Sequence, residues 1–116
     1  MRDNSKLRDW VYVAQSPIHG KGVFARCPIP KGQYIGSYHG PHARRNGIYV
    51  LWVQREEDGE WYGVSGRNQL RYLNHSAAPC AEFDGVHLYA ACDIATHEEI
   101  TFDYGEDPAA HGDEEA

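Results

Sequence analysis

Two stretches, Asn74-His75-Ser76 and Ile100-Thr101-Phe102-Asp103-Tyr104, decide the fold of this chain. An Asn-His pair flanked by apolar residues and a tyrosine at the end of a β-type run are each common in globular proteins. Together they predict a polar site of purine size that faces a single phenol. The pairing of the two stretches is therefore more informative than either one alone.

Further motifs precede these two stretches in a fixed order. Gly20-Lys21-Gly22-Val23-Phe24-Ala25 and Ile35-Gly36-Ser37-Tyr38-His39-Gly40 come first, and Arg71-Tyr72-Leu73 leads directly into Asn74. A single Gly-x-Gly would carry little information, because two glycines in a turn more often serve backbone geometry than a ligand. In this order, over about Ser16 to Gly105, the motifs resemble the SET-domain protein lysine methyltransferases.

The resemblance implies a mostly β fold of the β-clip type, in which small curled sheets surround a pseudoknot and one short helical turn is present. In this family the segment before the catalytic tyrosine threads beneath an earlier loop, an exception to the general absence of threaded chains. The resemblance therefore implies that Asn74 and Tyr104 share one site. We expect a single minimal SET domain over residues 1–116, without cysteine-rich flanking modules, with its motifs in residues 16–105 and a mobile acidic tail over residues 106–116.

The pattern of apolar residues independently favours short strands. Residues 56–60 (Glu-Glu-Asp-Gly-Glu) are expected to form a polar hairpin tip, and residues 68–74, with Leu70 and Leu73, predict a short helical turn. The apolar runs are separated by Pro, Gly, Asn and Asp at spacings typical of hairpins. The predicted strands are residues 10–13, 23–25, 34–35, 48–53, 61–64, 86–91 and 100–104.

Length and composition are typical of one globular domain. The chain has 116 residues, of which 41% are hydrophobic and 24% are charged, enough for one modest core and too few for two. No apolar run approaches the ~20 residues that span a bilayer, and no apolar segment follows the charged start as in a secretory signal. We therefore expect no membrane contact and a cytoplasmic location, or a nuclear or host-cell location if the source is eukaryotic or viral.

Charge and cysteine content narrow the classes of partner. The formal net charge of −6 argues against direct binding of nucleic acid and is compatible with attraction of a basic peptide. Cys27, Cys80 and Cys92 are odd in number, widely spaced and without a Cys-x-x-Cys pair. This pattern indicates reduced, buried thiols, and neither a disulfide framework nor a thiolate zinc site.

By the resemblance, the chain is an S-adenosylmethionine-dependent enzyme that transfers methyl groups to a lysine side chain of a protein substrate in a basic context. This reaction requires alignment of amine, methyl and sulfur, and it needs neither a metal nor a covalent intermediate. The lysine amine, whose free pKa is ~10.4, must be neutral when it attacks. An apolar channel near a cationic sulfonium favours that neutral form.

The resemblance also assigns cofactor contacts to six positions. The backbone around Lys21 and Gly22 wraps the methionine end of the cofactor. Asn74 and the adjacent histidine both contact the amino-acid and adenine ends of the cofactor. The remaining assigned residues pack against the cofactor or meet its carboxylate. The full set is Lys21, Gly22, Tyr38, Arg71, Asn74 and His75.

The same resemblance places Tyr104 at the transferred methyl as the catalytic residue. We assign it an orienting role, since a free phenol with a pKa of ~10 is a poor general base near neutral pH. Phe102 and Phe83 are expected to line the substrate channel. Neither carries a hydroxyl that would anchor a water molecule in the space needed by a partly methylated amine, so we expect dimethyl- or trimethyllysine as the product.

A non-catalytic SET-like binding module stays open as an alternative. It would keep the fold and the cofactor pocket, and it is favoured by the small size of the chain and by a tail, residues 106–116, that has no aromatic residue to close over the site. The peptide, a second copy of the chain in a homodimer, or a larger partner would then cover the site. The family's usual Pro-Asn after Asn-His-Ser is also replaced here by Ala77-Ala78-Pro79-Cys80.

A small metal-dependent β-barrel enzyme is a further alternative. His39 and His42, with His87, supply the three ligands that a catalytic zinc site requires. However, His39 and His42 flank the turn Gly40-Pro41, where residues three apart need not converge, and no glutamate accompanies them as a base. We therefore expect no metal site.

Overall fold

Short strands dominate the computed structural model, which describes residues 3–55 and 57–103. Within these residues there are ten strands and two short helices. They are α1 (Leu7–Trp10), β1 (Val11–Gln15), β2 (Lys21–Ala25), β3 (Tyr34–Ser37), β4 (His42–Ala43), β5 (Val50–Gln54), β6 (Trp61–Ser65), a 3-10 helix (Gln69–Tyr72), β7 (Asn74–His75), β8 (Ala81–Asp84), β9 (His87–Ala90) and β10 (Glu99–Phe102). The mostly β fold of small sheets predicted from the sequence is confirmed.

The sheet with the order β1-β2-β10-β7 brings the sequence motifs together. Strands β1 and β2 form an antiparallel hairpin, and β10 pairs antiparallel with β2. On its other edge β10 pairs in parallel with β7, so that Thr101 lies opposite Asn74 and Phe102 opposite His75. The Asn-His pair is therefore hydrogen-bonded to the strand that precedes Tyr104, while Tyr104 itself lies outside the described residues.

Two three-stranded antiparallel sheets complete the described part of the fold, with the orders β3-β9-β8 and β4-β6-β5. Strands β5 and β6 form a hairpin that pairs Val50 with Ser65 at one end and Gln54 with Trp61 at the other. Residues 57–60 of the predicted polar tip lie between those ends, while Glu56 lies outside the described residues. Gly59 there has a φ of +72°, a conformation that favours glycine. The hairpin is therefore as predicted.

One apolar core joins the three sheets. Val23 and Ile100 contribute from the first sheet and Leu88 from the second, and all three side chains are completely buried. Leu70 of the 3-10 helix is also completely buried and Leu73 nearly so, as the sequence predicted for this segment. The helical turn therefore anchors the chain just before Asn74 enters the first sheet.

Some local predictions differ from the structure. Residue 10 ends a short helix instead of beginning a strand, because Leu7 in the preceding turn is buried against the core. Ile48 is 85% exposed and lies outside β5, although its β-branched side chain suggested a strand. Strands β4, β7 and β8 were not predicted, since two of them have only two residues and β8 carries two acidic residues.

The expectation of buried thiols is correct for one cysteine. Cys80 is buried, and this burial raises the pKa of its thiol. Cys27 is half-buried and Cys92 is exposed, so the expectation is wrong for Cys92, which lies beyond the end of β9. In the described residues, no helix has the length and apolar character needed to cross a membrane.

Candidate active site

The side chain of Asn74 lies in a cluster of hydrogen-bond acceptors between β1, β2, β7 and β10. Its amide nitrogen is 2.9 Å from Oε2 of Glu99 and 3.1 Å from Oγ of Ser16. The same nitrogen is 3.2 Å from the carbonyl oxygen of His19 and 3.1 Å from that of Lys21. The Ser16 hydroxyl is 2.9 and 2.8 Å from the two Glu99 oxygens, to which it donates. We call these five residues the Asn74 cluster.

Gly22 is the residue that lets this cluster close. A Cβ atom at Gly22 would overlap the Glu99 carboxylate and would lie 3.0 Å from Cβ of Ser16. Gly22 itself has no left-handed backbone, whereas Gly20 in the preceding turn has a φ of +46°. The two glycines therefore have different physical roles, one in the turn and one in the close approach of Glu99.

Lys21 and Arg71 share one aromatic ring beside the cluster. The Lys21 Nζ atom lies 5.4 Å from the centre of the Tyr72 ring, and the Arg71 Cζ atom lies 4.4 Å from it, both distances typical of cation–π contacts. Arg71 also donates to the carbonyl oxygens of Arg67 (2.7 Å) and Asn68 (3.0 Å) and to the Tyr72 hydroxyl (2.7 Å). The positive charges of Lys21 and Arg71 are therefore held close to β2, the strand that contributes the Lys21 carbonyl oxygen to the cluster.

Tyr38, Phe83 and Phe102 form a second group, which we call the aromatic cluster. The ring centres of Tyr38 and Phe83 are 6.0 Å apart at 88°, and those of Phe83 and Phe102 are 5.2 Å apart at 89°. These are favourable edge-to-face arrangements. The Tyr38 hydroxyl donates to the carbonyl oxygen of Tyr49, and a Cβ at Gly66 would lie only 2.6 Å from the Tyr38 ring and hydroxyl. Gly66 thus provides the space that Tyr38 occupies.

The two phenylalanines also line a groove of about 440 Å³. Its walls come from β5, β6, β8 and the end of β10, so the groove lies between the second and third sheets and the end of the first. The other described residues that line it are Leu51, Trp52, Val53, Gln54, Trp61, Pro79, Ala81, Glu82, Gly85 and Asp103. The two residues predicted for a substrate channel therefore do lie together.

His75 does not join Asn74 in the Asn74 cluster. The two residues are neighbours on β7, where successive side chains point to opposite faces. The His75 side chain is 43% exposed, and its Nδ1 atom lies 3.8 Å from Oδ1 of Asp103. Of the Asn-His pair, only Asn74 thus faces the Glu99 carboxylate.

A match to the family model described as SET domain covers residues 20–105, most of the chain. The chain belongs to the SET-domain family. The resemblance inferred from the order of these motifs is therefore confirmed.

Relatives of this SET domain are named as histone-lysine methyltransferases. The chain is 30% identical over 120 residues to the H3 lysine-4 specific histone-lysine N-methyltransferase of Chaetomium globosum, and 28% identical over 120 residues to the enzyme of the same name from Yarrowia lipolytica. Each match covers 85% of this chain but only 11% and 10% of those proteins, so the chain spans about a tenth of their length. The methyltransferase domain of human histone-lysine N-methyltransferase SETMAR shares the fold, with a TM-score of 0.70 and 24% identity over 84% of this chain and 45% of that one.

Sequence reasoning missed three members of the Asn74 cluster in this SET domain, Ser16, His19 and Glu99; His19 contributes only its backbone carbonyl oxygen to the cluster. Glu99 follows another glutamate and resembles a surface charge, yet it lies in β10 directly before the buried Ile100. A charged residue at the first position of a strand whose other residues are buried was the available signal. Ser16 carried no signal of its own, because its role depends on the β1–β2 hairpin reaching Glu99.

The histidines do not assemble with other ligands in the described residues. There, no group of three or more His, Cys, Asp or Glu side chains is placed to hold a metal ion. His42 and His87 both line a second groove, of about 600 Å³, which shares Val53, Gln54 and Gly85 with the first. His87 Nδ1 is 2.7 Å from the Ser37 hydroxyl, so this ring nitrogen already has a partner.

Proposed function

We propose that this SET domain is an S-adenosylmethionine-dependent protein-lysine methyltransferase. The observation that carries the proposal is the juxtaposition in one fold of the acceptor-rich Asn74 cluster and an aromatic groove at Phe83 and Phe102. Family membership and the names of the relatives support the same activity. The first region suits the polar end of a cofactor, and the second suits a lysine side chain.

The Asn74 cluster fits the methionine end of S-adenosylmethionine. The Asn74 amide nitrogen has two hydrogens, while four acceptor groups surround it, so acceptor capacity is left over for a ligand ammonium group. Lys21 and Arg71 supply positive charge for a ligand carboxylate. We propose that these residues, with Gly22, Tyr38 and His75, bind the cofactor. When bound, the cofactor supplies a methyl group on a sulfonium, which is an excellent leaving group.

The aromatic groove is proposed to prepare the lysine amine. Phe83 and Phe102 exclude water from the amine, and an environment of low polarity favours its neutral form over its charged form. Tyr38 is held by the Tyr49 carbonyl, which keeps its ring edge against Phe83. Tyr104, beyond the described residues, is proposed to orient the amine. Positioning of this kind contributes several kcal/mol to transfer reactions.

The charges along the two grooves favour a peptide with basic residues. Glu82 and Asp103 line the first groove, and Glu57 and Asp84 line the second. Arg55 also lines the second groove, but its guanidinium is already bound to Asp58 at 3.0 Å. Complementary charge of this kind steers encounter and selects partners. We therefore propose a protein substrate with its target lysine in a basic context, as in a histone.

Several finer features remain part of this proposal. We propose dimethylation or trimethylation from the absence of a hydroxyl on Phe83 and Phe102, and a single SET domain over residues 1–116. A homodimer or a larger partner is proposed to cover the site. The place of action is the cytoplasm, or the nucleus or a host cell if the source is eukaryotic or viral.

The experiment is incubation of the chain with labelled S-adenosylmethionine and basic proteins, both histone and non-histone, followed by mass spectrometry of labelled lysines. Methyllysine formed by the parent chain and lost in Tyr104→Phe supports the proposal. Cofactor binding without methyl transfer on any substrate would instead indicate the non-catalytic module. Activity that depends on added zinc and not on the cofactor would revive the metal-dependent enzyme.

A further inference from the structure

We propose that Glu99 is a positioning residue, which fixes the orientation of the Asn74 amide for the amino-acid end of the cofactor. The inference rests on the proposed function, because it concerns the same cofactor. It goes further by giving a binding role to a residue that does not itself need to touch the ligand.

The first step concerns the orientation of the amide. The carbonyl oxygens of His19 and Lys21 can only accept hydrogen bonds, and so can the ionised carboxylate of Glu99. If the Asn74 amide were rotated by 180°, Oδ1 would face these oxygens and three contacts would become repulsive. The surroundings therefore place Nδ2 in the cluster and turn Oδ1 away from it, where it can accept a hydrogen bond from a ligand ammonium group.

The second step concerns these acceptors, of which Glu99 contributes most to the preferred orientation of the Asn74 amide. Its bond with Asn74, at 2.9 Å, is the shortest of the four made by the amide nitrogen, and a charged acceptor binds more strongly than a neutral carbonyl. Glu99 is itself fixed, because the Ser16 hydroxyl bonds both of its oxygens and Gly22 lets it approach β2. The amide is thus held by an acceptor that cannot easily turn away.

The third step concerns charge. Within residues 3–55 and 57–103, no lysine or arginine side chain forms an ion pair with the half-buried Glu99; the ion pair of this kind there is Arg55–Asp58. In this described part of the chain, its carboxylate accepts hydrogen bonds from two neutral donors, the Ser16 hydroxyl and the Asn74 amide. A cationic ligand group bound at Asn74 would therefore be attracted by this charge as well as by the amide oxygen.

The test uses two ligands that differ in the proposed contact. S-adenosylhomocysteine carries the amino-acid end, whereas 5′-methylthioadenosine lacks it. Binding of each ligand to the parent chain, to Glu99→Gln and to the control Glu98→Gln is measured by calorimetry. The control removes the neighbouring charge from Glu98, an exposed side chain that accepts a hydrogen bond from the backbone nitrogen of Ala95.

We expect Glu99→Gln to lower the affinity of the chain for S-adenosylhomocysteine by about tenfold or more, because a hydrogen bond to a charged group is lost. Its affinity for 5′-methylthioadenosine should stay within about twofold of the parent value. Glu98→Gln should bind both ligands as the parent does. If Glu99 had a merely structural role, Glu99→Gln would instead lower the affinity for both ligands. That result overturns the inference, and so does unchanged binding of S-adenosylhomocysteine.

Failure of the inference and of the proposed function are distinguishable. A folded parent chain that binds neither ligand contradicts the proposed function, and the inference falls with it. Selective binding in the parent that persists unchanged in Glu99→Gln contradicts the inference alone. If Glu99→Gln fails to fold, Ser16→Ala replaces it, since this variant loosens Glu99 without removing its charge. Ser16→Ala should cause a smaller loss of affinity, again for S-adenosylhomocysteine and not for 5′-methylthioadenosine. A loss of affinity for both ligands would overturn the inference.

Discussion

The Asn74 cluster and the aromatic cluster solve opposite physical problems within one small SET domain. In the Asn74 cluster, a carboxylate, two carbonyls and a hydroxyl surround one amide nitrogen. In the aromatic cluster, three rings meet edge to face and the single hydroxyl is bonded to a backbone carbonyl. Under the proposed function, the first region holds polar groups for a charged ligand, and the second removes water from an amine that must lose its charge. The difference predicts that changes in the two regions will affect different steps.

The largest effect is expected from Tyr104→Phe, which should separate turnover from binding. Removal of one hydroxyl that orients the amine should lower kcat by about 100-fold or more, because misplacement of reacting groups is costly. Cofactor affinity and folding should stay close to those of the parent chain. Kinetics and calorimetry on the same samples check this, with Tyr89→Phe in β9 as the matched control. A variant that turns over like the parent would mean that Tyr104 has no catalytic role.

Asn74→Ala should act on binding instead. Its loss removes a hydrogen bond of 2.9 Å to the half-buried Glu99 carboxylate, and an unpaired buried polar group costs about 1–3 kcal/mol. We expect weaker cofactor affinity by about tenfold and a lower free energy of unfolding. Calorimetry and denaturant unfolding measure both. The control is Asn46→Ala, which removes an exposed partner of the Trp52 indole. Unchanged cofactor affinity in Asn74→Ala would contradict its assignment.

The pH dependence of turnover probes the aromatic region. The attacking amine must be deprotonated. An apolar channel lowers its pKa from the free value of ~10.4, but the amine still titrates. At saturating cofactor, kcat should therefore rise from neutral toward alkaline pH, by up to about tenfold per unit below the pKa of the bound amine. Initial rates in buffers of constant ionic strength test this. A bell-shaped profile centred below pH 7 would implicate histidine chemistry instead.

The smallest expected change is one of product distribution. Phe102→Tyr adds a hydroxyl at the groove wall, where it can anchor a water molecule in the space required by a partly methylated amine. We expect the parent to form dimethyl- or trimethyllysine and the variant to shift toward monomethyllysine, with little change in the first methyl transfer. Mass spectrometry of one peptide treated with each protein decides the matter. A parent that stops at monomethyllysine on every substrate would contradict the argument.

Much of the fold and part of the candidate site could be predicted because their patterns are local. The β5–β6 hairpin follows from two apolar and aromatic runs on either side of Asp58-Gly59, and the 3-10 helix from Leu70 and Leu73 ahead of Asn74. Strands β7 and β8 were not predicted. The two-residue strand β7 forms by pairing with β10, and the acidic strand β8 forms by pairing with β9, and neither pairing is visible in the local sequence. The roles proposed for Lys21, Gly22, Asn74, Phe83 and Phe102 came from the family resemblance.

By itself, the sequence determined the family, through several motifs in one order, and the mostly β composition of the domain, through its short apolar runs separated by turn residues. Only the tertiary structure decided that Asn74 faces Glu99 while His75 turns outward, and that Gly22 is needed for the approach of a carboxylate. The physical reason is that these contacts join β1, β2, β7 and β10, which are distant in sequence. Their distances depend on strand pairing and packing, which no local pattern encodes.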